Sequence, residues 1–154
     1  MRVWRICRSR FAASAFSGEG ARLFSGRWNP VGVRMVYCSS SLALASLEFF
    51  VHLDPGVAPD DLVSVAADIP EEAGQIERLN LGTLPSDWRL VDNPALQQLG
   101  TDWAASLRSL ALLVPSAVVD DEWNVLLNPA HAGFGKILMA EPKPFRFDAR
   151  MFAR

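Results

Sequence analysis

The sequence predicts a single α+β domain spanning residues 1–154, with a mixed or antiparallel β-sheet core and flanking helices. Many short runs rich in apolar and β-branched residues are separated by turn signals, whereas only two segments carry clear helical signals. Half of the 154 residues are hydrophobic, which is enough for one substantial core. No internal repeat or low-complexity tract divides the chain.

Eight runs predict β-strands because they are short, apolar and bounded by turn-forming residues. They span residues 2–6, 33–38, 62–68, 87–91, 110–114, 123–127, 136–140 and 144–147. Apart from the run at 87–91, the polar segment 70–93 predicts a surface loop with little regular structure.

Two helices are predicted from their capping and stop signals. The serines at 39–41 can cap a helix that runs to about Leu53, where the Asp-Pro-Gly sequence at 54–56 stops it. The second helix has Asn93 as its N-cap and Pro94 at its first helical position, and it continues through "ALQQLGTDWAASL".

Charge is unevenly distributed along the chain. Residues 1–34 contain seven arginines and one acid, Glu19, which gives a local charge of +6, whereas the whole chain carries −2. This balance argues against broad nucleic-acid binding and favours a small anionic ligand or an acidic partner for the arginine-rich part. Two cysteines are too few for a disulfide framework, and no apolar run is long enough to span a membrane. We therefore expect a cytoplasmic protein.

Familiar nucleotide, metal and hydrolase motifs are incomplete. "GEGARL" has Leu23 in place of the third glycine of a dinucleotide-binding turn, and "AHAGFGKI" lacks the first glycine and the final Ser/Thr of a phosphate-binding loop. Glu48 and His52 lie one helical turn apart without further metal-ligand spacing, so no metal site is predicted. Ser116 has no G-x-S-x-G turn, which argues against a serine hydrolase.

Glu48 lies in the segment "SSSLALASLEFFVHL", which is otherwise almost wholly apolar. A lone carboxylate in a buried helix is costly unless it is paired, hydrogen-bonded or protonated. Glu48 therefore either has a structural partner or is retained because the chemistry of the protein needs it there.

Five side chains beside apolar elements are candidate site residues, namely Arg27, Tyr37, Glu48, Ser116 and Asn128. Arginine is a fixed positive charge with several donors and suits a phosphate, and tyrosine offers an aromatic face and a hydroxyl. Together with a carboxylate and two neutral polar groups, these side chains could bind a nucleotide. The alternative, that each satisfies a local backbone group, stays open and is favoured for Ser116 and Asn128 taken singly.

Three blocks of the sequence carry a family resemblance. "ARLFSGRWNPVGVRMVYCSSSLALASLEFFVHL", "VPSA" and "NVLLNPAH" occur in this order, and together they resemble the RES domain family. The resemblance extends from "VWRI" to "FRFDAR" and is strongest in residues 21–53 and 113–131. Ala132 departs from the family pattern, in which proline is frequent at this place.

The resemblance implies a fold related to ADP-ribosyltransferases and an enzyme that degrades NAD at the nicotinamide–ribose bond, as a glycohydrolase or a phosphorylase. RES proteins are toxins of bacterial RES–Xre toxin–antitoxin pairs, so the implied partner is an Xre-type helix-turn-helix antitoxin. NAD is then the substrate and no cofactor is expected. An ADP-ribosyltransferase that modifies a protein, or a catalytically inactive binding domain, remain the alternatives.

The family motifs fall on the five candidate residues. The resemblance implies catalytic roles for Arg27, Tyr37, Glu48 and Ser116, and substrate-binding roles for Arg27, Tyr37, Ser116 and Asn128. We expect Arg27 to bind the dinucleotide phosphates and Tyr37 to stack on the nicotinamide or ribose. Glu48 would stabilise the positive charge that develops on the ribose as the bond breaks, or would orient a water molecule or a ribose hydroxyl. Ser116 and Asn128 would orient polar groups.

Overall fold

The computed structural model describes residues 1–54, 59–72 and 75–152. Its strands are β1 (Arg2–Arg8), β2 (Val36–Ser39), β3 (Leu62–Asp68), β4 (Ile76–Arg78), β5 (Ala111–Pro115), β6 (Trp123–Leu127), β7 (Leu138–Met139) and β8 (Lys143–Phe145). Its α-helices are α1 (Glu19–Leu23), α2 (Leu42–Phe50) and α3 (Pro94–Ser106). Short 3-10 helices span Ser9–Ser14, Leu81–Thr83, Phe134–Lys136 and Ala149–Met151.

These strands form one mixed sheet in the order β4-β5-β6-β2-β1-β3-β7, with β8 also paired to β3. The β4–β5 pair is parallel, and the other pairs are antiparallel. The longest ladder joins β1 to β3 over seven residue pairs, from Arg2 opposite Asp68 to Arg8 opposite Leu62. A mixed sheet with few helices confirms the predicted α+β class.

Most predicted strands occur with shifted ends. The runs at 62–68 and 123–127 match β3 and β6, whereas the run at 33–38 becomes extended only at Val36. The run at 136–140 shortens to two residues because a 3-10 turn takes up its start.

The prediction of a strand at 87–91 was wrong. This segment forms turns, and the carbonyls of Trp88 and Leu90 accept hydrogen bonds from an arginine side chain, not from a neighbouring strand. Within the segment expected to be irregular, β4 forms instead by parallel pairing with β5. It is only three residues long and mostly polar, so its sequence carries no strand signal of its own.

Both predicted helices are confirmed together with their caps. The Ser41 hydroxyl accepts a hydrogen bond from the Leu44 N–H at 3.1 Å, and α2 ends at Phe50, three residues before the predicted end. Pro55 and Gly56 of the predicted stop signal lie outside the described residues. Asn93 caps α3 by accepting from the Ala95 N–H at 3.0 Å. No helix in the described part of the chain is long and apolar enough to cross a membrane.

Two apolar layers cover the sheet. One contains Val36, Val125 and Leu127, together with Val3 and Val65. The other layer lies under α3 and α2 and contains two clusters of buried residues. The first cluster consists of Trp28, Met35, Leu96, Trp103, Leu112, Val114 and Leu126. The second consists of Ile6, Ala45 and Leu62.

A close backbone contact fixes α3 against the loop before β2. A Cβ added at Gly100 would lie 1.9 Å from the carbonyl oxygen of Trp28, so only glycine permits this approach. Trp28 is almost fully buried there. The contact therefore determines where the adjacent Arg27 lies.

Candidate active site

The face of the sheet under α3 changes from apolar to polar at one end. Residues opposite each other in paired strands lie on the same face, and side chains alternate along a strand. Ser39 is opposite Asn124, which is opposite Val114, and Ser116 follows Val114 by two residues. Ser39, Asn124 and Ser116 therefore extend the apolar face as a polar edge.

Helix α2 brings Glu48 to this edge. Ala45 packs against Ile6 and Leu62, and Glu48 lies one turn further along the helix. Its Oε1 accepts hydrogen bonds from Ser116 Oγ at 2.7 Å and from Asn124 Nδ2 at 2.5 Å. The carboxylate in the apolar segment thus has two polar partners, and they hold it in one orientation.

Both partners of Glu48 are themselves held in place. Ser116 Oγ accepts from the backbone N–H groups of Val118 and Val119, each at 3.1 Å, so its own proton is directed to the carboxylate. Asn124 Oδ1 accepts from Ser39 Oγ at 2.8 Å, which directs its amide group to Glu48. The network leaves Glu48 as its final acceptor.

Two backbone carbonyls hold the side chain of Arg27 in place. Its Nη1 donates to the carbonyls of Trp88 at 2.9 Å and Leu90 at 2.8 Å. Partial burial lowers the pKa of the guanidinium, and the negative charge of Glu48 acts in the opposite direction. The positive charge of Arg89 lowers the same pKa. The Arg27 guanidinium is therefore sensitive to the charges of both Glu48 and Arg89.

Tyr37 fixes the loop that carries Arg27. Its hydroxyl donates to Asn29 Oδ1 at 2.7 Å and accepts from the Trp28 N–H at 3.0 Å. A Cβ added at Gly26 would lie 2.7 Å from this hydroxyl. Burial raises the pKa of Tyr37 well above its ordinary value, so the phenol stays protonated. The structure gives Tyr37 a positioning role, and stacking on a substrate stays a prediction.

Among the described residues, Asn128 makes no side-chain hydrogen bond to the other four candidates. It is fully buried, donates to the Ala104 carbonyl at 2.8 Å and accepts from the Ala130 N–H at 3.1 Å. It lies four residues beyond Asn124, or about 13 Å along an extended chain. Asn124, and not Asn128, donates to Glu48, and the substrate-binding role of Asn128 stays a prediction.

Sequence reasoning missed Asn124, although a signal for it exists. Asn124 and Asn128 both belong to the run "EWNVLLNP", in which Asn124 lies within β6 and Asn128 directly follows its last residue, Leu127. The pairing of Asn124 with Ser39 distinguishes the two, and this contact joins residues 85 positions apart.

Among the described residues, no three His, Cys, Asp or Glu side chains are placed to hold a metal ion together.

The model of the RES domain matches residues 2–148. The chain belongs to the RES domain family, which confirms the resemblance seen in the sequence.

Relatives resemble the chain over almost its whole length. A protein named Toxin Res from Photorhabdus laumondii subsp. laumondii is 39% identical over 153 residues, covering 98% of this chain and 97% of the relative. A second Toxin Res, from Yersinia enterocolitica, is 38% identical and covers 98% and 99%. The Prs ADP-ribosylating toxin of a Sphingobium species is 38% identical and covers 98% and 96%.

Proposed function

We propose that this protein is a toxin that consumes NAD by breaking the bond between nicotinamide and ribose. The observation that carries the proposal is the Glu48 carboxylate, which the Ser116 hydroxyl and the Asn124 amide orient at the polar edge. As the C–N bond breaks, its electron pair leaves with the nicotinamide nitrogen and positive charge develops on the ribose. A preoriented carboxylate stabilises that charge.

The products depend on which acceptor forms a bond to the ribose carbon that nicotinamide leaves. Water gives ADP-ribose, nicotinamide and a proton, whereas inorganic phosphate gives a phosphorylated ADP-ribose and nicotinamide. Nicotinamide leaves a cationic substrate as a neutral molecule, so the bond breaks without a general acid. Arg27 would bind the pyrophosphate, and Ser116 and Asn124 would keep Glu48 oriented.

Transfer of ADP-ribose to a protein is the second candidate function. The relative from Sphingobium, at 38% identity, is named a Prs ADP-ribosylating toxin. Transfer shares the first half of the reaction and differs only in the acceptor. A binding domain without catalysis is the third reading, which a preoriented carboxylate with an adjacent arginine disfavours.

We further propose that the protein acts in the cytoplasm and is neutralised there by a cognate Xre-type helix-turn-helix antitoxin. The names of its full-length relatives as toxins support this pairing. A cytoplasmic enzyme that destroys NAD would deplete the NAD of its own host unless a partner blocked it. Expression without the antitoxin should lower cellular NAD and arrest growth, and unchanged NAD and growth would contradict the toxin proposal.

The reaction is tested by incubating the purified protein with NAD and measuring free nicotinamide. One reaction contains no further component, a second contains inorganic phosphate, and a third contains candidate acceptor proteins. These include Prs, the protein that appears in the name of the Sphingobium relative. ADP-ribose identifies a glycohydrolase, its phosphorylated form a phosphorylase, and labelled protein a transferase. Nicotinamide release at the uncatalysed rate under all three conditions would refute the proposed activity.

A further inference from the structure

A cavity of about 410 Å³ opens beside Ser116 and has no part in the chemistry described so far. This volume is within the range of small-molecule sites. Two indoles, Trp88 and Trp123, line it together with Arg89. Ser116 both lines the cavity and donates to Glu48, so the cavity adjoins the polar edge.

An arginine side chain lies over the ring of each indole. The Arg89 guanidinium lies 4.6 Å from the ring centroid of Trp88, and that of Arg78 lies 4.4 Å from the ring centroid of Trp123. Cations over aromatic faces at this distance are attracted by the ring electrons. Arg89 also donates to Asp120 at 2.6 Å. Aromatic walls held in this way suit a planar heteroaromatic ring.

The charges around the cavity distinguish a base from a phosphate. The carboxylates of Asp120, Asp121 and Glu122 line it, and they disfavour an anionic group inside. They can accept hydrogen bonds from an amino group on a neutral ring. The cavity therefore favours an uncharged base that carries an amino donor.

Two arginines connect the cavity with the polar edge. Arg27 donates to the Trp88 carbonyl and responds to the charges of both Glu48 and Arg89. Arg89 itself lines the cavity. Positive charge thus lies next to both the cavity and Glu48. This arrangement suits a ligand that has an anionic group in its middle and a ring at each end.

We propose that this cavity is the subsite for the adenine base of NAD, an inference that rests on the proposed activity. The nicotinamide ribose then lies at Glu48, the pyrophosphate at Arg27, and the adenine against Trp88 and Trp123. The cavity contributes to binding of the substrate and leaves the bond-breaking step to Glu48.

The first test compares Trp123→Ala, Trp123→Phe and the parent protein by nicotinamide release. Loss of one stacking indole should raise the KM for NAD about 5- to 100-fold with kcat little changed. Phenylalanine should restore most of the affinity because it keeps an aromatic face. Phe11→Ala is the matched control, since Phe11 is also a half-exposed aromatic under an arginine, 4.8 Å from Arg10, but does not line the cavity. An unchanged KM in Trp123→Ala would overturn the subsite.

A second test needs no substitution. AMP should compete with NAD in the parent protein, and AMP and nicotinamide should bind together because they occupy separate subsites. Absence of inhibition by AMP, or mutual exclusion of AMP and nicotinamide, would overturn the assignment. A parent protein that releases no nicotinamide refutes the proposed activity, whereas an active parent that fails either test refutes the adenine subsite alone.

Discussion

Ser116 donates a hydrogen bond of 2.7 Å to the carboxylate of Glu48, although the two residues lie 68 positions apart in the sequence. The bond joins the end of β5 to α2, at the edge where the sheet face becomes polar. It also resolves the presence of an acid in an apolar helix, because the carboxylate is both hydrogen-bonded and preoriented. Glu48 can therefore have hydrogen-bonding partners in the fold and a role in the chemistry at the same time.

Asn124 and Asn128 should respond differently to removal of their amides. Asn124→Ala removes a donor to Glu48 and should lower kcat by about 10-fold or more, since a charge-assisted hydrogen bond contributes roughly 1.5–3 kcal/mol. Asn128→Ala removes two bonds to backbone groups in the interior, so it should lower the melting temperature and leave the activity of the folded fraction intact. Both quantities should be measured on the same preparations. The opposite result, loss of turnover in Asn128→Ala and loss of stability alone in Asn124→Ala, would support the site role predicted for Asn128.

The sequence predicts those parts of the fold that depend on local interactions. The caps of α2 and α3 are bonds between a side chain and the backbone two or three residues away, so Ser41 and Asn93 are recognisable from the sequence. The ladder between β1 and β3 has apolar runs on both sides, and both runs were predicted.

Other features depend on long-range contacts that carry no local signal. Strand β4 is extended because β5 pairs with it, and the segment at 87–91 is not a strand because Arg27 binds two of its carbonyls. Asn124 lies in β6 and Asn128 directly after it, and only the packing of α2 determines which of the two contacts Glu48. Family motifs identified Arg27, Glu48 and Ser116, but not their hydrogen bonds.

Arg27→Lys should weaken NAD binding more than it slows the reaction. Arg27 Nη1 already donates to the carbonyls of Trp88 and Leu90, and the guanidinium has further N–H groups for a phosphate. A lysine that replaced both bonds would keep one donor. We expect the KM for NAD to rise about 10-fold in Arg27→Lys and further in Arg27→Ala, measured by nicotinamide release.

Arg34→Lys is the control for Arg27, because Arg34 is exposed and its ion pair with Glu19 lies at the surface. It should leave the KM for NAD unchanged. Full activity and affinity in Arg27→Ala would remove the phosphate role from Arg27.

Tyr37 should ionise in the folded protein only above the ordinary tyrosine pKa of about 10. Burial raises its pKa, so the folded state holds the proton more tightly than the unfolded state does. This contribution to the free energy of unfolding is complete below the unfolded pKa and is lost as the pH rises above it. The chain has a single tyrosine, so tyrosinate absorbance reports this residue alone.

The measurement is a pair of pH titrations, one of native protein and one in denaturant. The native titration should have the higher midpoint, or tyrosinate should appear only together with loss of the circular dichroism signal. A native midpoint at or below the denatured one would show that the hydroxyl is not held as the structure indicates.

The most direct test of the central claim is nicotinamide release from NAD by the parent protein and by Glu48→Gln, with the melting temperature measured on the same samples. Glutamine keeps the volume and an oxygen that can accept from Ser116 and Asn124, but it removes the charge. Turnover should fall by about 10²–10³ because one preorganised electrostatic contact is lost, while NAD binding and the melting temperature change little. Glu77→Gln, which alters a surface pair with Arg108, should retain full turnover. A Glu48→Gln protein that turns over NAD at the parental rate would contradict the account.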